Sequence, residues 1–152
     1  MDKKTLNLIK ECVKKHYSDN LVSLCIFGSV ARKEDTESSD IDLLVICKKL
    51  KRGRLSRIKE FEKVENCLKK KGTALDISPV IKTTEEVKLG SPLFWDMTEH
   101  CIFLYDRDNF FKNYLRDLKK RLDSLGAKKI KKGSIWIWVL KDKFSPGEVF
   151  SI

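Results

Sequence analysis

Glutamine is absent from all 152 residues, although lysine, glutamate and aliphatic residues are abundant. Chains from hot environments avoid thermolabile amides and use charge freely in the same way, so this absence speaks to source and not to activity. No apolar run approaches the length of a membrane span, and Met1-Asp-Lys-Lys lacks the apolar stretch of a signal peptide. The expectation is a soluble, cytoplasmic protein with no membrane contact. No Cys-x-x-Cys pair occurs among the five cysteines, Cys12, Cys25, Cys47, Cys67 and Cys101, which are scattered and set among apolar residues. That spacing argues against zinc and predicts reduced thiols that act as small buried hydrophobes. His16 and His100 have no second histidine at ligand spacing and read as surface or helix-end residues. No internal repeat or low-complexity tract is visible, and 152 residues suit one domain.

What is present concentrates between two apolar runs, Leu21 to Phe27 and Ile41 to Cys47, with Gly28-Ser29 following the first and Asp40-Ile-Asp42 opening the second. The segment predicts strand, tight turn, short helix, loop, strand. Glycine lets the backbone approach a phosphate closely, the start of a helix carries partial positive charge, and Ser29 adds a hydroxyl. Residues two apart on a strand point to the same side, so Asp40 and Asp42 present their carboxylates together while Ile41 and Leu43 face the other way. Paired hard oxygen ligands suit Mg²⁺, which completes its coordination with waters and substrate phosphates. A third carboxylate, Asp76, interrupts the apolar run Ala74 to Ile81, which predicts another strand with an acid whose burial needs a cationic partner. Three carboxylates are the smallest set that holds the two ions of a two-metal site.

Gly-Ser, ten residues, Asp-x-Asp, with Ala31-Arg32 in the turn, Ser39 before the first aspartate and a later strand aspartate, resembles the minimal nucleotidyltransferases of the DNA polymerase beta superfamily. Lys33 departs from the pattern, since many relatives have glycine there. The resemblance covers residues 1–105. It implies an α+β fold, a mixed sheet of four or five strands with helices packed on one side, and transfer of a nucleoside monophosphate from ATP or another nucleoside triphosphate to a hydroxyl. It further implies that Gly28, Ser29 and Arg32 bind the triphosphate, and that Asp40, Asp42 and Asp76 hold two Mg²⁺ ions and carry catalysis. Arg32 has an alternative reading as a surface partner of Glu34 or Asp35. Within the family the antitoxin-like group adds AMP to a tyrosine of a HEPN-type toxin, so a HEPN-type protein is an expected partner. The rival readings are nucleotide addition to RNA or a small molecule, and a non-catalytic module that binds a nucleotide or partner.

The formal charge of +10 is uneven: Lys48 to Lys71 holds eleven Lys or Arg against three Glu. Leu55, Ile58, Phe61, Val64 and Leu68 recur at helical spacing there, which predicts a helix with a solvated basic face; nucleic acid is the alternative partner of that face. Residues 4–17 predict an amphipathic helix with Leu6, Ile9, Val13 and Tyr17 inward. Thr83 to Glu86 resembles a capping box, Ser91-Pro92 opens a short helix through Phe94 and Met97, and Cys101 to Tyr105 is a short strand. Residues 106–152 are expected to extend the core within the same domain. A helix over 108–125 buries Phe111, Tyr114, Leu115, Leu118, Leu122 and Leu125 and stops at Gly126. Ser134 to Leu140 then alternates as an added edge strand, with Trp136 and Trp138 on one side as cover or as a stacking platform. Lys141 and the tail Lys143 to Glu148 are expected to hang over the cleft.

Overall fold

The computed structural model describes residues 1–140 and 146–147. Apart from the turn at Pro146 and Gly147, the tail expected over the cleft lies outside the described residues.

Helix α1 (Lys3–Tyr17) begins where the Asp2 carboxylate accepts from the Thr5 amide at 2.6 Å, and it buries Ile9, Cys12, Val13 and Tyr17. Strand β1 (Leu21–Phe27) is buried along its whole length. The one-turn helix α2 (Gly28–Arg32) follows directly, then a loop and β2 (Ile41–Cys47). Helix α3 (Arg54–Lys70) returns the chain to β3 (Ile77–Thr83), which pairs with β2 in parallel. The short helices α4 (Thr84–Leu89) and α5 (Leu93–Met97) lead to β4 (Ile102–Asp106), antiparallel to β1. The sheet order is β3-β2-β1-β4, mixed because only β2 and β3 run parallel. Helix α6 (Phe110–Leu125) and a separate two-stranded sheet, β5 (Lys128–Lys132) and β6 (Ile135–Val139), complete the described chain.

Strand alternation divides the core. Leu24, Ile26, Leu43 and Val45 face one side with α1 and α3, while Cys25, Phe27, Leu44 and Ile46 face the other with Val87, Phe94, Met97 and the buried face of α6. Helices therefore cover both sides of the sheet, correcting the one-sided packing expected from the resemblance, because α6 supplies a second apolar face. Local signals fix several joints. Thr83 and Glu86 form the expected capping box, and Gly126 ends α6 in the left-handed region at φ 73°. Ser23, buried among apolar neighbours, donates to Asp106, whose carboxylate also accepts from the amides of Phe111 and Lys112 at 3.0 Å and so ties the sheet to α6.

Four expectations need correction. Cys12 and Cys67 form a disulfide between α1 and α3, so only Cys25, Cys47 and Cys101 are free. Leu55 is 82% exposed, because it stands in the first turn of α3 outside the contact with the sheet. The strand after Asp76 begins at Ile77, leaving Asp76 exposed at its mouth instead of buried within it. The tryptophan strand is no edge of the main sheet: it pairs with β5, and Trp138 and Leu140 pack against the α6 side of the core. No helix among the described residues is long and apolar enough to cross a membrane.

Candidate active site

The end of β1 and the start of β2 are neighbours, with Phe27 paired to Asp42. The chain leaves β1 at Gly28 with φ 69°, a conformation that side chains with a Cβ rarely adopt. A Cβ at this position would collide with the Asp42 carboxylate, its carboxyl carbon lying only 3.0 Å away. Two independent constraints thus require glycine: the backbone turn and the acid packed against it. Ser29 follows in α2, which closes through Glu34 N–H donating to Ser29 O at 2.9 Å. Lys33 caps α2 in the left-handed region at φ 59°, the conformation that glycine adopts freely. The residue that departs from the family pattern therefore keeps the backbone that glycine would give, at a steric cost.

The loop before β2 is shaped by Thr36 and Ser39, whose backbone and side-chain groups bond reciprocally at 2.9 and 3.0 Å. Asp40 emerges exposed and Asp42 half-buried. Ile41 N–H donates to Asp76 O at 2.8 Å, one step before the pairs Ile41–Ile77 and Asp42–Ser78, so the parallel ladder carries Asp76 alongside Asp40. All three aspartates stand at one end of β2 and β3. Among the described residues, no three His, Cys, Asp or Glu side chains gather into a metal-holding cluster. Burial, and then the charge of Asp40, push the Asp42 carboxyl above its ordinary value, with Arg32 offsetting part of the shift. A half-buried carboxylate whose charge is disfavoured by burial, with a second carboxylate two residues away at the same strand end, suits a bound cation, so the donor set fits hard divalent ions.

Arg32 lies one turn beyond Ser29 and is held at both edges of its guanidinium. Its Nε meets Glu34 at 3.0 Å and an Nη meets Asp96 of α5 at 2.9 Å. Lys129 of β5 pairs with the other oxygen of Asp96. Burial alone would raise the Asp96 carboxyl, but hydrogen bonds from Lys129 and Arg32 outweigh it and hold the group below its ordinary value. The Glu34 carboxyl is held down chiefly by Arg32, with a smaller share from the Trp136 indole. The terminal hairpin therefore braces both carboxylate partners of Arg32. Trp136 is not a bare stacking platform, since Lys129 and Lys131 stand 4.8 and 5.4 Å from its ring centre. Asp96 and Lys129 were not singled out from sequence: neither sits in a motif, and Asp96 is 64 residues from Arg32.

The sheet order, the glycine turn against Asp42 and the carboxylate-lined strand ends define a nucleotidyltransferase fold. The chain belongs to the family described as "Nucleotidyltransferase domain", whose profile matches residues 6–99, and it is a nucleotidyltransferase. Among its relatives is a Methanocaldococcus jannaschii protein provisionally named as protein adenylyltransferase MJ1305, 37% identical over 127 residues, covering 78% of this chain and 84% of the relative. A shorter match to MJ0126 of the same organism, with the same provisional activity, is 49% identical over 47 residues, 28% of this chain and 48% of that one. Among solved structures, a toxin–antitoxin with AMP-PNP superposes with a TM-score of 0.53 at 14% identity, covering 78% of this chain and 90% of that one. An MntA-HpeT toxin–antitoxin variant carrying two Asp-to-Glu changes superposes at 0.50 and 13% identity, covering 78% and 89%. The likeness to these structures is one of fold.

Proposed function

We propose that the chain transfers AMP from ATP to a hydroxyl of a protein acceptor, a tyrosine of a HEPN-type partner. The acceptor oxygen forms a bond to the α-phosphorus, the bond to the β-phosphate bridging oxygen breaks, pyrophosphate leaves, and the hydroxyl proton passes to solvent. Asp40 and Asp42 would hold two Mg²⁺ ions with Asp76 as the further ligand on the acceptor side, and the metal would supply charge neutralisation for the triphosphate and activation of the acceptor hydroxyl. Gly28 admits the β- and γ-phosphates against the backbone, Ser29 donates its hydroxyl to them, and Arg32 balances their charge from the end of α2. Residues 1–105 carry this chemistry and residues 106–152 extend the same domain, with the described β5–β6 hairpin bracing Arg32 through Lys129 and Asp96.

The observation that carries the reading is the close approach of Gly28 to Asp42, which sets a glycine turn directly against a carboxylate of raised proton affinity. The names of the relatives support adenylyl transfer to protein, and the toxin–antitoxin neighbours support the choice of partner. The test incubates the chain with α-labelled ATP, Mg²⁺ and a small all-helical HEPN-type protein from the same source. Label should appear on the partner only with divalent metal. Asp76→Asn should abolish it, by at least about a hundredfold, while ATP binding is retained. Full turnover in that variant contradicts the assignment, and labelled RNA ends in place of labelled protein would transfer it to the nucleic-acid reading.

A further inference from the structure

A polar concavity lies on the opposite side of the sheet from Asp42, where α1 and α3 pack against each other. The helices run antiparallel, as the contacts Glu11–Lys71, Cys12–Cys67 and His16–Glu60 show. Between them is a cleft of about 430 Å³ with the disulfide at its wall. Lys15, Lys63, Lys70 and Lys71 line it together with His16 and Asn66, and no carboxylate belongs to the lining. Lys71 is paired with Glu11 at 2.9 Å. Lys15, Lys63 and Lys70 form no ion pair with any described residue, in contrast to Lys129, which pairs with Asp96. Solvated lysines on a helix face normally spread apart, whereas these come from two helices and converge on one hollow. Burial first, and then the charge of Lys63, depress the proton affinity of His16 against the pull of Glu60, which agrees with a positive potential in the cleft.

We propose that this cleft binds the phosphate groups of a polyanion, at a site separate from the transfer reaction. Like charges held close repel, and a ligand carrying several phosphates relieves that repulsion while each ammonium gains a charge-assisted hydrogen bond. The disulfide fixes the spacing of the two helices, so the lysines are arrayed before the ligand arrives and less ordering entropy is lost on binding. Asn66 adds a neutral donor, and the hollow is large enough for several phosphates of an inorganic polyphosphate or a stretch of RNA backbone. The shared chemistry is phosphate recognition by converging ammonium groups.

The test uses the oxidised full chain in EDTA, so that divalent ions at the aspartates contribute nothing. Binding of a fluorescent ten-nucleotide RNA is followed by anisotropy, and binding of inorganic tripolyphosphate by calorimetry. The triple variant K15E/K63E/K70E is compared with K119E/K120E/R121E, which changes charge equally on the exposed face of α6 across the sheet. A triple glutamine variant at the cleft guards against misfolding by the glutamates. The cleft variants should lose roughly tenfold or more in affinity, and the RNA salt slope should fall by about 2, while the α6 control changes affinity by less than about twofold. RNA binding much tighter than tripolyphosphate identifies the nucleic-acid backbone as the source; comparable affinities identify a small polyphosphate. Equal losses in the cleft and control variants, or no saturable binding to the unmodified chain, overturn the proposal.

Discussion

At the scale of single residues, one absent carbon atom decides whether the site can form. Alanine at position 28 must enter a positive-φ conformation and place its methyl on the Asp42 carboxylate, so either the turn or the acid has to move. Gly28→Ala should lower stability by about 1–3 kcal/mol and turnover by roughly a hundredfold or more, read by thermal unfolding and by pyrophosphate release. An alanine variant with unchanged turnover would show that phosphate does not approach this turn. These residues were legible in the sequence because their chemistry is local: a glycine at a strand end, a serine after it and aspartates two apart are recognised by spacing alone. Asp76 was legible as an acid in an apolar run but not as an exposed one, since its exposure depends on β3 starting at Ile77 and not at Ala74. The partners of Arg32 were illegible for the opposite reason. Glu34 is a near neighbour, but Asp96 and Lys129 reach it only through the fold.

Elements are where sequence reasoning lost most. The strands β1 and β2 and the helices α1 and α6 follow directly from apolar periodicity. β5 does not: its sequence Lys-Lys-Ile-Lys-Lys has the composition of a solvated segment, and it becomes a strand by pairing with the Ile-Trp alternation of β6. The hairpin is pinned to the core through Lys129 and Asp96, and this link is pH-dependent. The folded Asp96 carboxyl lies below its ordinary value of 3.8, so the pairing contributes stability above that pH and loses it as pH falls through the depressed value. Tryptophan emission should report the hairpin loosening only below pH 3.8, whereas Asp96→Asn should already show the loosened spectrum at neutral pH. An identical spectrum for that variant would mean that the ion pair does not hold the hairpin. The α1–α3 staple was equally invisible, because its two cysteines stand 55 residues apart and nothing local marks them as partners. Closing so long a loop should stabilise the chain by about 2–4 kcal/mol. Reduction, or Cys67→Ser, should therefore lower the Tm by roughly 5–15 °C in a scanning experiment, and an unchanged Tm would contradict a structural role.

On the scale of the whole molecule, the sheet separates two kinds of polar surface. The ends of β2 and β3 carry the aspartates on the side packed by α4, α5 and α6, while the lysines of α1 and α3 gather on the other side. An overall charge of +10 therefore coexists with a locally acidic candidate site. On the proposed function, the field of the chain would draw in a polyanion and the carboxylates would admit it only in company with divalent cations. The most direct measurement is a crystal structure with a non-hydrolysable ATP analogue and Mg²⁺. The account predicts metal within about 2.1 Å of Asp40 and Asp42 oxygens, Asp76 facing the α-phosphate, and the β- and γ-phosphates against Gly28 and Ser29. A triphosphate bound away from Gly28, or metal held without Asp40 and Asp42, would contradict it.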